Sequence, residues 1–336
     1  MMKSIFMENE GGHIVRRVYP AHVTARLKEI AGLDDSVVVG KNDLCQQQEL
    51  TRQADYIFAT WGMPALTAEE IREYLPNLKA VFYAAGSVQG FARPFLENGV
   101  RVFSAWAANG VPVAEFTTSQ ILLANKGYFQ ACRLQSAGQL DQARRHAGQF
   151  PGSFGCSVGL IGVGMIGSMV ARKLQDYRLH VMAYDPFLPA EKAQSLGIEL
   201  CSLERLFSEC QTISNHLANN PQTVGMLNYR LFSRMKNNAV FINTGRGAQV
   251  VEEDLVRALR EQPDRTAVLD VTMPEPPQPG HPFYEMPNVF LTPHIAGSTG
   301  DEVHRMAEYM LACCESVLAT GQAEYEVDLA MLETMA

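Results

Sequence analysis

The sequence predicts an α/β fold with parallel sheets, and three observations predict it. Short apolar runs alternate with helix-patterned segments along most of the 336 residues. A glycine cluster, Gly162-Val163-Gly164-Met165-Ile166-Gly167, joins an apolar run at 158–161 to a helical pattern over 168–174. A complete alternating region precedes that cluster, so the glycine turn opens a second domain rather than the first.

In chain order, 37–39 and 54–60 read as short strands, the second closed by the turn Trp61-Gly62-Met63-Pro64. Thr67-Ala68-Glu69-Glu70 places a hydroxyl three residues before a carboxylate, the pattern of a capping box opening a helix to about Tyr74. Residues 78–83 form a strand that breaks at Ala84-Ala85-Gly86-Ser87, and 101–104 form the last strand of this unit. Ala107-Ala108-Asn109-Gly110-Val111-Pro112 breaks the composition and marks a candidate hinge. Beyond it, 113–128 is apolar at helical spacing. The polar helical stretch 135–149 reads equally as a dimerisation arm or a solvated surface helix. After the glycine cluster, strands are expected at 180–184, 199–201, 212–216, 239–243, 266–271 and 289–292, with helices between them and a last helix over 306–318.

Each glycine of the cluster has its own physical task. Gly162 allows a tight turn out of the strand, Gly164 lets a pyrophosphate approach the backbone, and Gly167 lets the helix pack on the strand. The helix start then offers free N–H groups and a positive dipole end to phosphates. Asp185 ends the next strand, 18 residues past Gly167. An acid there hydrogen-bonds the adenosine ribose and repels a 2′-phosphate, which favours NAD over NADP.

Composition narrows the classes. A formal net charge of −8 and the lack of a basic block argue against nucleic acid or an anionic membrane as partner. No run approaches the ~18 apolar residues of a membrane span, and the first ten residues hold no apolar core of a signal peptide. Seven scattered cysteines without a C-x-x-C pair suggest neither zinc nor a disulfide framework, and a reducing cytoplasm is expected.

Polar residues fall at expected strand ends: Asp185, His216, Arg246, Asp270 and His294. Ligands of an open parallel sheet sit beyond those ends. Arg246, between Gly245 and Gly247, presents a planar cation suited to a bidentate carboxylate. An imidazole such as that of His294 is suited to giving or taking a proton, though for a lone histidine a satisfied core residue is the better reading. Glu275, in a proline-rich loop, could keep that imidazole charged if the two side chains met.

Together these motifs resemble the D-isomer-specific 2-hydroxyacid dehydrogenase family over nearly the full length. The matching segments are the glycine cluster with Asp185, Asn243-Thr244-Gly245-Arg246-Gly247, Leu269-Asp270-Val271 with Glu275-Pro276, and Leu291-Thr292-Pro293-His294-Ile295-Ala296-Gly297. Asn109 and the helix start Val113-Ala114-Glu115-Phe116 match as well. The resemblance implies two Rossmann-like or flavodoxin-like domains. A substrate domain of 1–104 plus 299–336 would hold an inserted NAD domain, 105–298, through which homodimers form. It implies hydride transfer between NAD(H) and a D-2-hydroxyacid/2-oxoacid pair of glyoxylate/hydroxypyruvate-reductase or phosphoglycerate-dehydrogenase type. His294 would be the proton donor, Glu275 its partner, and Arg246 the carboxylate and carbonyl ligand. Backbone at Ala85, Gly86 and Ser87, with the indole of Trp61, would complete the substrate site. Trp61 as a plug of the domain edge is an equal alternative. Met165 and Ile166 would meet the pyrophosphate, Thr244 and Asp270 the nicotinamide. Further cofactor contacts are implied at His216, Leu217, Thr223, Gly245 and Gly297.

The chain departs from the family at two loops. The usual Leu-His-x-Pro-x-Thr is here Asn215-His216-Leu217-Ala218-Asn219-Asn220, and the substrate loop lacks its usual acid. Formate dehydrogenases of the family replace the catalytic Glu, so Glu275 argues against that chemistry. A non-catalytic NAD(H)-sensing scaffold of the corepressor type keeps the same motifs and is the alternative from another class.

Overall fold

A computed structural model describes residues 2–333. The chain forms two compact units, Met1–Gly110 with Ser298–Ala336, and Val111–Gly297. These limits differ from the expected 104/105 and 298/299 because one helix, Trp106–Ala124, runs through the first of them. Its Ala108 packs in the first unit's core, whereas Ala114, Ile121 and Ala124 pack in the second's. The candidate hinge at 107–112 is therefore helical. Pro112 lies inside that helix, where it has no N–H to give to the Ala108 carbonyl.

In the first unit, β1 (Ser4–Met7), β2 (Leu33–Val39), β3 (Tyr56–Ala59), β4 (Ala80–Tyr83) and β5 (Arg101–Ser104) form a parallel sheet in the order β2-β1-β3-β4-β5. A short strand from the C-terminal segment, Glu326–Val327, adds antiparallel to β5. This 2-1-3-4-5 order is flavodoxin-like. Phe82 ties the strands together, stacked on Phe58 at 5.1 Å and on Phe103 at 5.0 Å. Thr67 caps its helix as its sequence predicts, accepting from the Glu70 N–H at 3.2 Å while Glu70 accepts from the Thr67 N–H at 2.7 Å. β1 and the helix Ala21–Ala31 have no counterpart in the sequence reading. All four β1 residues are buried, so the strand shows no alternation to read.

In the second unit, β6 (Phe154–Ile161), β7 (Arg178–Tyr184), β8 (Ile198–Leu200), β9 (Thr212–Asn215), β10 (Val240–Asn243), β11 (Thr266–Leu269) and β12 (Val289–Leu291) are all parallel. Their order is β8-β7-β6-β9-β10-β11-β12, a Rossmann order whose direction reverses between β6 and β9. The glycine cluster leaves β6 and His216 leaves β9, so both sit at that switch point. The polar stretch 135–149 is not one helix. Tyr128–Ser136 and Leu140–Ala147 are separated by a turn in which Gly138 takes a φ of 77°. Among the described residues no helix is long and apolar enough to cross a membrane.

Candidate active site

The glycine cluster is shaped by close approach at two positions and by open space at the third. Gly162 has a φ of 84°, and a Cβ there would lie 2.8 Å from the His216 carbonyl oxygen. A Cβ on Gly167 would lie 2.2 Å from the Gly162 carbonyl oxygen, so strand end and helix touch there. A Cβ on Gly164 would meet nothing within 4 Å. The helix Met165–Leu174 begins at Gly164 with no side-chain cap, which leaves the N–H groups of Met165 and Ile166 for an external anion.

Asp185 stands at the end of β7. Its Oδ2 accepts from the Val163 N–H at 2.8 Å and its Oδ1 from the Phe187 N–H at 2.9 Å. The carboxylate thereby fixes the glycine loop, and each oxygen keeps a lone pair for a ribose hydroxyl. An open cradle, an uncapped helix start and a fixed acid together fit a dinucleotide. Beside them His216 is half-buried, its Nε2 3.0 Å from Ser214 Oγ. Burial pushes its imidazole down to about 4, so it is neutral near pH 7. Leu217 donates its N–H to Asn215 Oδ1, and Thr223 donates its hydroxyl to the Ala218 carbonyl at 2.7 Å.

Arg246 follows β10 in the turn Thr244-Gly245-Arg246-Gly247. Gly247 is required because a Cβ would lie 2.1 Å from the Thr272 carbonyl carbon. The half-buried guanidinium donates from one Nη to the Gly245 carbonyl at 2.9 Å. Among the described residues it has no carboxylate partner, so its charge is available to a ligand. Thr244 is buried, its Oγ1 2.9 Å from Thr117 Oγ1.

Asp270, at the end of β11, is almost wholly buried. Its Oδ1 accepts from Thr292 Oγ1 at 2.6 Å and from the Ile295 N–H at 2.9 Å, and its Oδ2 accepts from the Ala296 N–H at 2.9 Å. The acid expected at the nicotinamide thus clamps the loop that carries His294. That clamp holds His294 at a φ of 55°, a region costly for a side-chain-bearing residue and sustained only where the surroundings fix it. In this conformation His294 Nδ1 meets Glu275 Oε1 at 2.7 Å with both side chains partly open to solvent. The structure therefore joins His294 to Glu275, two residues that are separate signals in the sequence.

Trp61 and the Ala85-Gly86-Ser87 turn lie in the first unit, after β3 and β4. Trp61 is 37% exposed. Ser104 Oγ donates to the carbonyls of Ala85 and Gly86 at 3.0 and 2.6 Å, which fixes the turn. The Ala85 N–H goes to the Tyr83 carbonyl, whereas those of Gly86 and Ser87 find no acceptor among the described residues. Gly297 ends the second unit. Three buried amides around Arg246, namely Asn215, Asn243 and Gln249, escape the sequence reading. In the sequence they are marked by no more than an asparagine at the close of each of two strands and a glutamine three places past Arg246.

Residues 118–296, more than half of the chain, match the family model of the D-isomer specific 2-hydroxyacid dehydrogenase, NAD binding domain. The chain belongs to this family. NAD is the cofactor of that domain. Among curated members, the D-3-phosphoglycerate dehydrogenase of Methanocaldococcus jannaschii is 28% identical over 288 residues, 85% of this chain and 53% of its own length. A glyoxylate reductase of Korarchaeum cryptofilum is 29% identical over 269 residues, 79% of this chain and 80% of its own. A crystal structure of a Thermus thermophilus protein, 27% identical, superposes with a TM-score of 0.70 over 96% of this chain and 99% of that one. The chain spans about half the length of the phosphoglycerate dehydrogenases it matches.

Proposed function

We propose that this protein is an NAD-dependent D-2-hydroxyacid dehydrogenase that reduces a small 2-oxoacid, its NAD domain near 105–298 set within a substrate domain of 1–104 and 299–336. The observation that carries this reading is the 2.7 Å contact of His294 with Glu275, beyond the same strand edge as the unpaired Arg246. When bound, NADH supplies the hydride that adds to the carbonyl carbon. Arg246 takes the substrate carboxylate and carbonyl oxygen and stabilises the negative charge that grows on the latter. His294 gives its Nε2 proton to that oxygen. Glu275, on Nδ1, orients the ring and balances its charge before the transfer. The N–H groups of Gly86 and Ser87 and the indole of Trp61 are assigned to the substrate's other end.

The loops assigned to substrate favour one of the two activities. Residues 60–67 and 84–91 contain no Lys, Arg or His, and the exit of β1 carries Glu8 and Glu10. A phosphate dianion needs cationic partners, so an unphosphorylated acid fits better than a phosphorylated one. Loss of NADH absorbance with hydroxypyruvate and with its 3-phosphate tests this. The expected ratio of kcat/KM favours the former by about tenfold or more, and the reverse preference would refute it. NADH binding without turnover of any 2-oxoacid would favour the NAD(H)-sensing scaffold instead.

We further infer a cytoplasmic homodimer joined through the NAD domain. All seven cysteines are free thiols, as in a reducing compartment. Leu123, Tyr128 and Leu140 are exposed apolar residues lining one groove between the helices of 106–147, a surface that a second copy would cover.

A further inference from the structure

The loop that carries Arg246 and the loop that follows β9 are joined by a single buried network of side-chain amides. Asn215 and Gln249 are 0% exposed and Asn243 is 1% exposed. Asn215 Nδ2 donates to Asn243 Oδ1 at 3.0 Å and to Gln249 Oε1 at 2.5 Å. Asn243 Nδ2 donates to the Arg246 carbonyl at 3.1 Å, and its Oδ1 also accepts from the Gly245 N–H at 3.1 Å. Gln249 Oε1 also accepts from the Arg246 N–H at 3.4 Å. Both backbone polar groups of Arg246 therefore end on these amides. On the other side, Gln249 Nε2 donates to the carbonyls of Leu217 and Ala218 at 2.8 and 2.9 Å, and the Leu217 N–H returns to Asn215 Oδ1 at 3.3 Å. A Cβ at residue 245 would lie 3.1 Å from both Asn215 Nδ2 and Gln249 Oε1, so Gly245 leaves the network its room.

We propose that Gln249, held by Asn215, is a positioning residue that sets the substrate-binding arginine with its oxygen and the cofactor-facing loop 216–218 with its nitrogen. The inference rests on the dehydrogenase reading for Arg246, but its cofactor half stands apart from turnover. Two loops that must be placed relative to each other share one amide, whose two ends face different loops. Apolar neighbours could pack there but could not fix carbonyl and N–H directions. Each amide nitrogen and each amide oxygen of the three has a complementary partner, so their orientation is dictated by the network.

Two variants separate the ends. Gln249→Leu removes both, taking their side-chain partner from the Arg246 N–H and the Leu217 carbonyl and leaving the Ala218 carbonyl with Thr223 alone. The dissociation constant of NADH, measured by fluorescence without oxoacid, and the KM for hydroxypyruvate should each rise by about fivefold or more, with kcat changed less. Gln249→Glu keeps the acceptor but cannot donate to the Leu217 and Ala218 carbonyls. Its NADH dissociation constant should rise as in Gln249→Leu while the KM stays within about twofold of wild type. Thermal unfolding confirms that each variant is folded, and if Gln249→Leu does not fold, Gln249→Glu alone decides. A lowered unfolding temperature with NADH affinity and KM both unchanged would reduce the network to a packing feature and overturn the proposal. Equal movement of the two constants in Gln249→Glu would overturn it too. A wild-type protein that binds NADH but turns over no 2-oxoacid removes the dehydrogenase reading, and the NADH titrations still test the cofactor half.

Discussion

At the scale of single residues, the proposed reaction depends on the fixed charge of Arg246 and on proton transfer through His294. Arg246→Ala should lower kcat/KM by about a thousandfold, since a charge-assisted bidentate contact and transition-state stabilisation are lost together. NADH affinity and thermal unfolding should stay near wild type, because among the described residues the guanidinium makes a single protein hydrogen bond. Near-normal turnover in that variant would remove Arg246 from the site. Glu275→Gln keeps a hydrogen-bonding group beside His294 Nδ1 but removes the carboxylate charge, so kcat for reduction should fall by about tenfold or more with NADH affinity unchanged. An unchanged kcat would mean that the charge of Glu275 plays no part in the transfer. His216 gives a stability prediction. Its folded value near 4 lies below the 6.5 of a free imidazole, so the unfolded chain takes up that proton first. Stability is therefore complete above about pH 6.5 and falls toward pH 4, by up to roughly 3 kcal/mol from this group. Denaturant titrations of His216→Gln should lose that part of the acid sensitivity.

At the scale of elements, the glycine loop separates folding from binding. Gly167→Ala would push a methyl to 2.2 Å from the Gly162 carbonyl oxygen, so it should destabilise the second unit by a few kcal/mol. Gly164→Ala meets no protein atom within 4 Å, so the packing of strand end on helix is left intact. It should unfold like wild type but bind NADH at least about tenfold more weakly, if a pyrophosphate approaches there. Titration of both variants beside thermal unfolding checks the contrast. Equal NADH affinity in Gly164→Ala would place the phosphates elsewhere.

These elements also show what the sequence can and cannot reveal. The glycine loop and the Thr67 capping box are legible because their chemistry lies within a few residues of chain. The contact of Glu275 with His294 needs the fold, since the two are brought together by strand order. The clamp of Asp270 is hidden for the same reason: an acid at a strand end reads as ligand-facing until its acceptors are seen filled by 292–296. At 216–220, where the family's usual proline is absent, Gln249 and Thr223 both donate to the Ala218 carbonyl, contacts that the sequence of the loop does not reveal. Strand β1 escapes notice because a short strand buried on both faces carries no period.

At the scale of the whole molecule, the homodimer rests on the groove lined by Leu123, Tyr128 and Leu140. Leu140→Glu places a charge on that apolar surface. Light scattering after size exclusion should show the wild type at twice the chain mass of 37.1 kDa and the variant at or near it. A monomeric wild type would return these helices to a solvated face.

His294, Glu275 and Arg246 are proposed to form one centre for reducing 2-oxoacids with NADH. The most direct test follows NADH absorbance over glyoxylate, pyruvate, hydroxypyruvate, 3-phosphohydroxypyruvate and bulkier analogues, with chiral analysis of the product. At least one unphosphorylated acid should be turned over to its D-2-hydroxyacid, and His294→Gln should abolish this. NADH binding without turnover of any member, or an L-product, would contradict it.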